Sequence, residues 1–229
     1  MAGRASLREQ AERRCQGYWL LSRLFLEVPG PAFLAELKQM LSDPGAQGDP
    51  ASSEIAALRA AVETGLANPD EAAVAFTRHL VIGDRDHGEP LPFEAHVLEG
   101  QLPGELTVMV AQETAAAGFA DVAPEAPSPD HLGAELRFMA LLCLQERDAW
   151  AHADDSAAVA ALQKQLRFLS DHLAQWAPRY CLELAERAAN NYVRSIARLC
   201  ATTVSDDLVT LDEIRQWVAP PELATATAT

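Results

Sequence analysis

Pro129-Asp130-His131-Leu132-Gly133-Ala134-Glu135-Leu136-Arg137-Phe138-Met139-Ala140-Leu141-Leu142-Cys143-Leu144-Gln145-Glu146 follows a Pro-rich stretch and reads as the opening of a strongly apolar helix. Ser128 is placed as N-cap, Pro129 at the first helical position and Asp130 in the first turn, where a carboxylate meets the positive end of the helix dipole. On that reading Asp130 contributes only about 0.3–1 kcal/mol to stability, and His131 is a pocket or capping side chain. Neighbouring helical residues point about 100° apart, so Asp130 and His131 do not form half of a catalytic triad. No nucleophile elbow accompanies them.

Outward from this segment the chain reads as all-α. Ala, Leu, Glu, Gln and Arg dominate, and all favour helix, whereas β-branched and aromatic residues are sparse. Towards the C-terminus, Leu162, Leu166, Leu169, Leu173 and Trp176 make one apolar seam. Leu182, Ala185, Ala189, Tyr192, Ile196 and Leu199 make a second, with Pro178 read as the first residue of that helix. Thr210-Leu211-Asp212-Glu213 reads as a capping box for a short last helix, and residues 219–229 as a flexible tail.

Towards the N-terminus, Ser6-Leu7-Arg8-Glu9 reads as a capping box for a helix carrying Tyr18, Leu21, Leu24 and Phe25 and ending before Pro29. A second helix carries Phe33, Leu34, Leu37 and Leu41, and a third covers roughly 52–66. Asn68-Pro69-Asp70-Glu71 opens a fourth with Val74, Phe76, His79 and Leu80, and a further helix spans about 105–117. Residues 83–104, interrupted by Gly83, Gly88, Pro90, Pro92, Gly100, Pro103 and Gly104, read as a long irregular loop or hinge. The expectation is a single-domain bundle of about eight to ten helices over residues 1–229.

Composition narrows the function. A formal net charge of −15 disfavours a nucleic-acid partner, because phosphate contacts need clustered Lys and Arg. Arg13-Arg14 followed by YWLLSRLFL is not an export signal, since Arg23 and Glu27 interrupt a run that is already short. No segment approaches 18 uncharged apolar residues, so a cytoplasmic chain with no membrane span is expected. The four cysteines have no zinc-type spacing and read as reduced thiols. No paired Glu-x-x-His supports a di-iron site, and no phosphate-binding loop is present. Asp84, Asp86, His87 and His96 could ligate a metal, but their spacing is unspecific and solvated loop charges account for them. No cofactor and no metal are expected. A non-catalytic binding module fits better than an enzyme; the competing readings are a helical regulatory or interaction protein with another client and a metal-dependent hydrolase.

The order of motifs resembles the TorD/DmsD family of chaperones for molybdenum enzymes. The residues that carry the likeness are Tyr18-Trp19-Leu20-Leu21-Ser22-Arg23-Leu24-Phe25 with Pro29, Phe76-Thr77-Arg78-His79-Leu80-Val81-Ile82-Gly83, and Pro90-Leu91-Pro92-Phe93-Glu94-Ala95-His96. Asp130-His131-Leu132 with Glu135-Leu136 come next, then Phe168-Leu169-Ser170-Asp171-His172-Leu173 with Trp176 and Pro178. Phe93 and Ala95 stand where the family has Tyr and Ser, which removes two hydroxyls. The resemblance implies an all-α fold, a monomer or domain-swapped dimer, and a client: the twin-arginine signal peptide or apoprotein of the catalytic subunit of a molybdopterin oxidoreductase. It implies peptide-binding roles for Tyr18, His79, Pro90, Pro92, Phe93, Glu94, Asp130, His131 and Glu135.

Overall fold

The central helix is apolar nearly all round, and that is what places it. In a computed structural model describing residues 3–42, 52–83, 90–119 and 122–218, helix α7 (Leu132–Ala151) buries every residue from Leu132 to Ala140, so its first turns are covered on all sides. It packs mainly on α1 (Arg4–Leu26) and α8 (Asp155–Phe168). The α1 contact is close because Gly133 has no side chain. A Cβ there would sit 2.4 Å from Leu26 Cγ, and the Ser22 hydroxyl donates to the Gly133 carbonyl at 2.6 Å.

The other elements are α2 (Pro31–Leu41), α3 (Ser52–Ala67), α4 (Pro69–Phe76), α5 (Glu94–Glu99), α6 (Glu105–Ala116), α9 (Ala174–Arg187) and α10 (Asn191–Val218). Two π-wound segments intervene, π1 (Thr77–Ile82) after α4 and π2 (Leu169–Leu173) between α8 and α9. Helix α10 packs on α9 and α3, and α2 on α3. One apolar core runs from Leu7 to Ile214. Among the described residues there is no strand, only an isolated antiparallel bridge pairing Phe93 with His131.

Several expected boundaries move. Helix α1 begins at Arg4 with Gly3 as N-cap, and Ser6 caps nothing. Arg4 forks onto Asp155 with two 2.7 Å contacts, which holds the extra turn in place. Pro178 lies inside α9, one turn after Ala174, so the carbonyl it cannot serve belongs to the first residue beyond π2. The chain turns instead at residues 188–190, where Asn190 Oδ1 accepts the Tyr192 N–H at 2.9 Å. That break shifts the seam: Cys181, Leu184 and Ala185 are buried, while Leu182 and Ala189 are exposed. Val74 is exposed as well. The expected short last helix is the end of α10, because Leu211 and Ile214 continue its buried stripe; Thr210 Oγ1 donates to the Asp206 carbonyl within the helix instead of capping. The expected loop 83–104 contains α5, and the tail 219–229 lies outside the described residues.

Candidate functional site

The bridge between Phe93 and His131 organises the region the motifs point to. Glu94 N–H donates to the Asp130 carbonyl at 2.9 Å, and Leu132 N–H donates to the Pro92 carbonyl at 2.8 Å. These bonds hold His131 extended, so α7 starts three residues later than its Ser-Pro-Asp lead-in predicts, and His131 is the N-cap. Asp130 stays in the turn before it, where the His131 N–H donates to the Ser128 carbonyl at 3.2 Å. The His131 ring turns onto α7, where Nδ1 accepts the Gly133 N–H at 3.1 Å, and packs edge-on against Phe93 with centroids 5.0 Å apart. Burial lowers its pKa to about 4 against an ordinary 6.5, so the ring is neutral.

The Asp130 carboxylate turns to α5 and α6. It is fully buried and accepts from the Ala95 N–H at 3.3 Å, from the Thr107 hydroxyl at 2.9 Å and from the Ser128 hydroxyl. Asp130 thus caps α5 from a distant part of the chain and is no partner for the dipole of α7. Removing it strands buried donors, a cost of about 1–3 kcal/mol, larger than the helix-dipole reading gives. At the far end of α5, Glu99 repeats the device, accepting the Glu105 N–H at 3.0 Å and the Leu106 N–H at 3.3 Å at the start of α6.

Two further carboxyls meet behind this bridge. Glu94, fully buried, lies 2.9 and 3.1 Å from His172 Nδ1 in π2. Burial raises the Glu94 pKa, the His172 contacts oppose that rise, and the Asp130 and Glu99 charges add to it. For His172 burial acts downwards, but the hydrogen bond and charge of Glu94 outweigh it and the net shift is upwards. Glu135, on α7, accepts Trp176 Nε1–H at 3.2 Å through one oxygen, and its other oxygen has no hydrogen-bond partner among the described residues. Burial and then the Glu94 charge push its pKa well above the ordinary value.

Of the residues predicted for binding, Pro92, Phe93, Glu94, Asp130, His131 and Glu135 therefore come together, and all are buried. Pro90 stands half-buried in the segment leading into α5. His79 is buried in π1, a different element. His96 Nδ1 accepts the Leu91 N–H at 3.1 Å; Asp84, Asp86 and His87 lie outside the described residues. Among the described residues no group of three His, Cys, Asp or Glu is placed to hold a metal.

Tyr18 belongs to a second buried polar cluster. Its hydroxyl donates to Asp207 at 2.8 Å, and Arg14 lies 2.5 Å from Glu146 and 3.8 Å from Asp207. Glu146 also accepts from Trp150 Nε1 at 3.0 Å and Gln165 Nε2 at 2.9 Å. The cluster joins α1, α7, α8 and α10. Its charged members escape a motif search, but each interrupts an apolar stripe at helical spacing: Ala11-Arg14-Tyr18, Cys143-Glu146-Trp150 and Val204-Asp207-Leu211.

Burial, the largest influence, raises the Asp207 pKa from 3.8 to about 6 against the opposing Arg14 charge and Tyr18 hydrogen bond. The folded protein holds this proton more tightly than the unfolded chain. Its favourable contribution is complete below pH 3.8 and is lost as pH rises to about 6, at about 1.4 kcal/mol per unit or about 3 kcal/mol in all. Asp207→Asn, which keeps an acceptor for Tyr18, should remove this part of the slope in urea unfolding between pH 4 and 7. An unchanged slope would show that Asp207 does not titrate there.

These features define an all-α protein in which buried polar groups tie a small helical hairpin, α5 and α6, to a long-helix body. A sequence model of the family described as nitrate reductase delta subunit matches residues 46–182, more than half of the chain. The chain is 27% identical to chaperone protein TorD of Vibrio cholerae serotype O1 over 213 residues, 90% of this chain and 94% of that protein. The chain belongs to this family, that of the TorD/DmsD chaperones which its motifs resemble.

Proposed function

We propose that this protein is a system-specific chaperone for a molybdopterin oxidoreductase. It binds the twin-arginine leader or the apoprotein of the catalytic subunit in the cytoplasm and holds it until the cofactor is inserted and export ensues. The observation that carries this reading is the likeness to TorD along nearly the whole length of both chains. The charge supports it, since a leader that opens with basic residues is attracted to a chain of net charge −15. No helix in the described residues is long and apolar enough to cross a membrane. The buried cluster around Asp130 serves this function from behind, by fixing the hairpin and not by touching the client.

Titration calorimetry with the leader, and with the apoprotein, of a molybdopterin oxidoreductase catalytic subunit tests the proposal. Exposed charges are screened as the Debye length falls to about 10 Å at 0.1 M salt, whereas apolar burial is not weakened in that way. Affinity should therefore fall only partly from low to high salt, and fall further when the apolar segment of the leader is made polar. No binding by the leader and none by the apoprotein would remove the proposal.

A further inference from the structure

Between Arg85 and Arg137 the sequence holds ten Asp and Glu and no Lys or Arg. The described part of this stretch includes the α5–α6 hairpin. Helix α6 turns Val110 and Thr114 into the body and leaves Val108 and Met109, 55% and 50% exposed, on its outer side. Leu98, on α5, and Leu102, at the bend between the two helices, are 43% and 46% exposed. A single exposed leucine is ordinary; four large aliphatic side chains exposed within twelve residues of one hairpin are the kind of surface that binds a partner. The same hairpin carries Glu99, Glu105 and Glu113 and no Lys or Arg of its own, and Glu113 is met from α8 by Arg167 at 3.6 Å.

That combination selects a partner. A second copy of a chain with net charge −15 is repelled. A peptide with an apolar stretch beside basic residues matches these aliphatic side chains and glutamates together. Building on the chaperone reading, we propose that the outer face of the α5–α6 hairpin is where the apolar stretch of the leader docks, with its basic segment against the glutamates. Phe93, Glu94 and Asp130 hold this face in position from the inside.

The test is calorimetry with a synthetic twin-arginine leader against the full chain and single-site variants. Val108→Ser and Met109→Ser lie on exposed positions and should keep the wild-type circular dichroism, yet raise Kd by about tenfold through lost apolar contact. Glu105→Lys should weaken binding mainly at low salt. Val74→Ser, at an exposed valine on α4, should bind as the wild type does. A wild-type chain that binds while both hairpin variants bind equally well would overturn the docking face and leave the chaperone reading standing. A wild-type chain that binds no leader would overturn the docking face, and would overturn the chaperone reading as well only if the apoprotein is not bound either.

Discussion

Glu146→Ala is expected to lower the unfolding free energy by about 3–5 kcal/mol, because it leaves a buried arginine without its closest counter-charge. Arg14 has 10% of its side chain exposed and Glu146 only 1%, so water does not replace the lost contact. The same substitution removes the acceptor of Trp150 Nε1 and Gln165 Nε2. Asp207, the remaining carboxylate near Arg14, lies farther away at 3.8 Å and is engaged by Tyr18. Urea denaturation at neutral pH reads the change directly. A loss below about 1 kcal/mol, the range of exposed pairs, would mean that Arg14 swings to solvent and that the cluster does not bind the four helices together.

His172→Leu is expected to cost a similar amount, about 3–5 kcal/mol, for the same reason seen from the acid's side. Glu94 is fully buried, and among the described residues His172 is the one cationic group it contacts. The double variant Glu94→Leu with His172→Leu should recover much of that loss, since replacing both members of a buried pair by apolar groups of similar volume is often neutral. The cycle separates the pair's interaction from the packing each side chain provides. Additive single effects would show that His172 and Glu94 are independent, and that their pair does not help fix the hairpin.

Much of the architecture is legible in the sequence. The stripes of α1 and α2 put Tyr18, Leu21, Leu24, Phe25, Phe33, Leu34, Leu37 and Leu41 in the core, where the structure has them buried, and α7 is recognisable from the apolar run Phe138–Leu144. What the sequence hides depends on contacts between distant segments. Asp130 looks like an ordinary first-turn carboxylate, because the backbone bonds that keep the helix from starting here come from Pro92 and Glu94. Helix α5 is masked by its flanking glycines and prolines; Asp130 takes up its first two free N–H groups, that of Glu94 at its carbonyl and that of Ala95 at its carboxylate. Phe93, Glu94, Asp130 and Glu135, expected to bind a peptide, do lie together, but as a buried joint. Exposure, the property that decides which of them a client can touch, is a tertiary outcome that periodicity does not carry in a helix buried on all sides.

The π-wound turn at Leu169–Leu173 has an implication for heredity. Helices α8 and α9 run with it as one continuous rod from Asp155 to Arg187. A π turn holds one residue more than an α turn, and each residue rotates the remainder of the rod by about 100°. That surplus residue lets Phe168, Leu169, His172 and Leu173 all face inwards, a wider arc than one α stripe covers, and brings His172 to Glu94. Loss of a single codon here would leave a more regular helix and a worse protein. Everything downstream, Trp176, Tyr180 and Leu184 among it, would swing off the core. Selection at this point acts on the spacing of the message as much as on the identity of any residue it encodes.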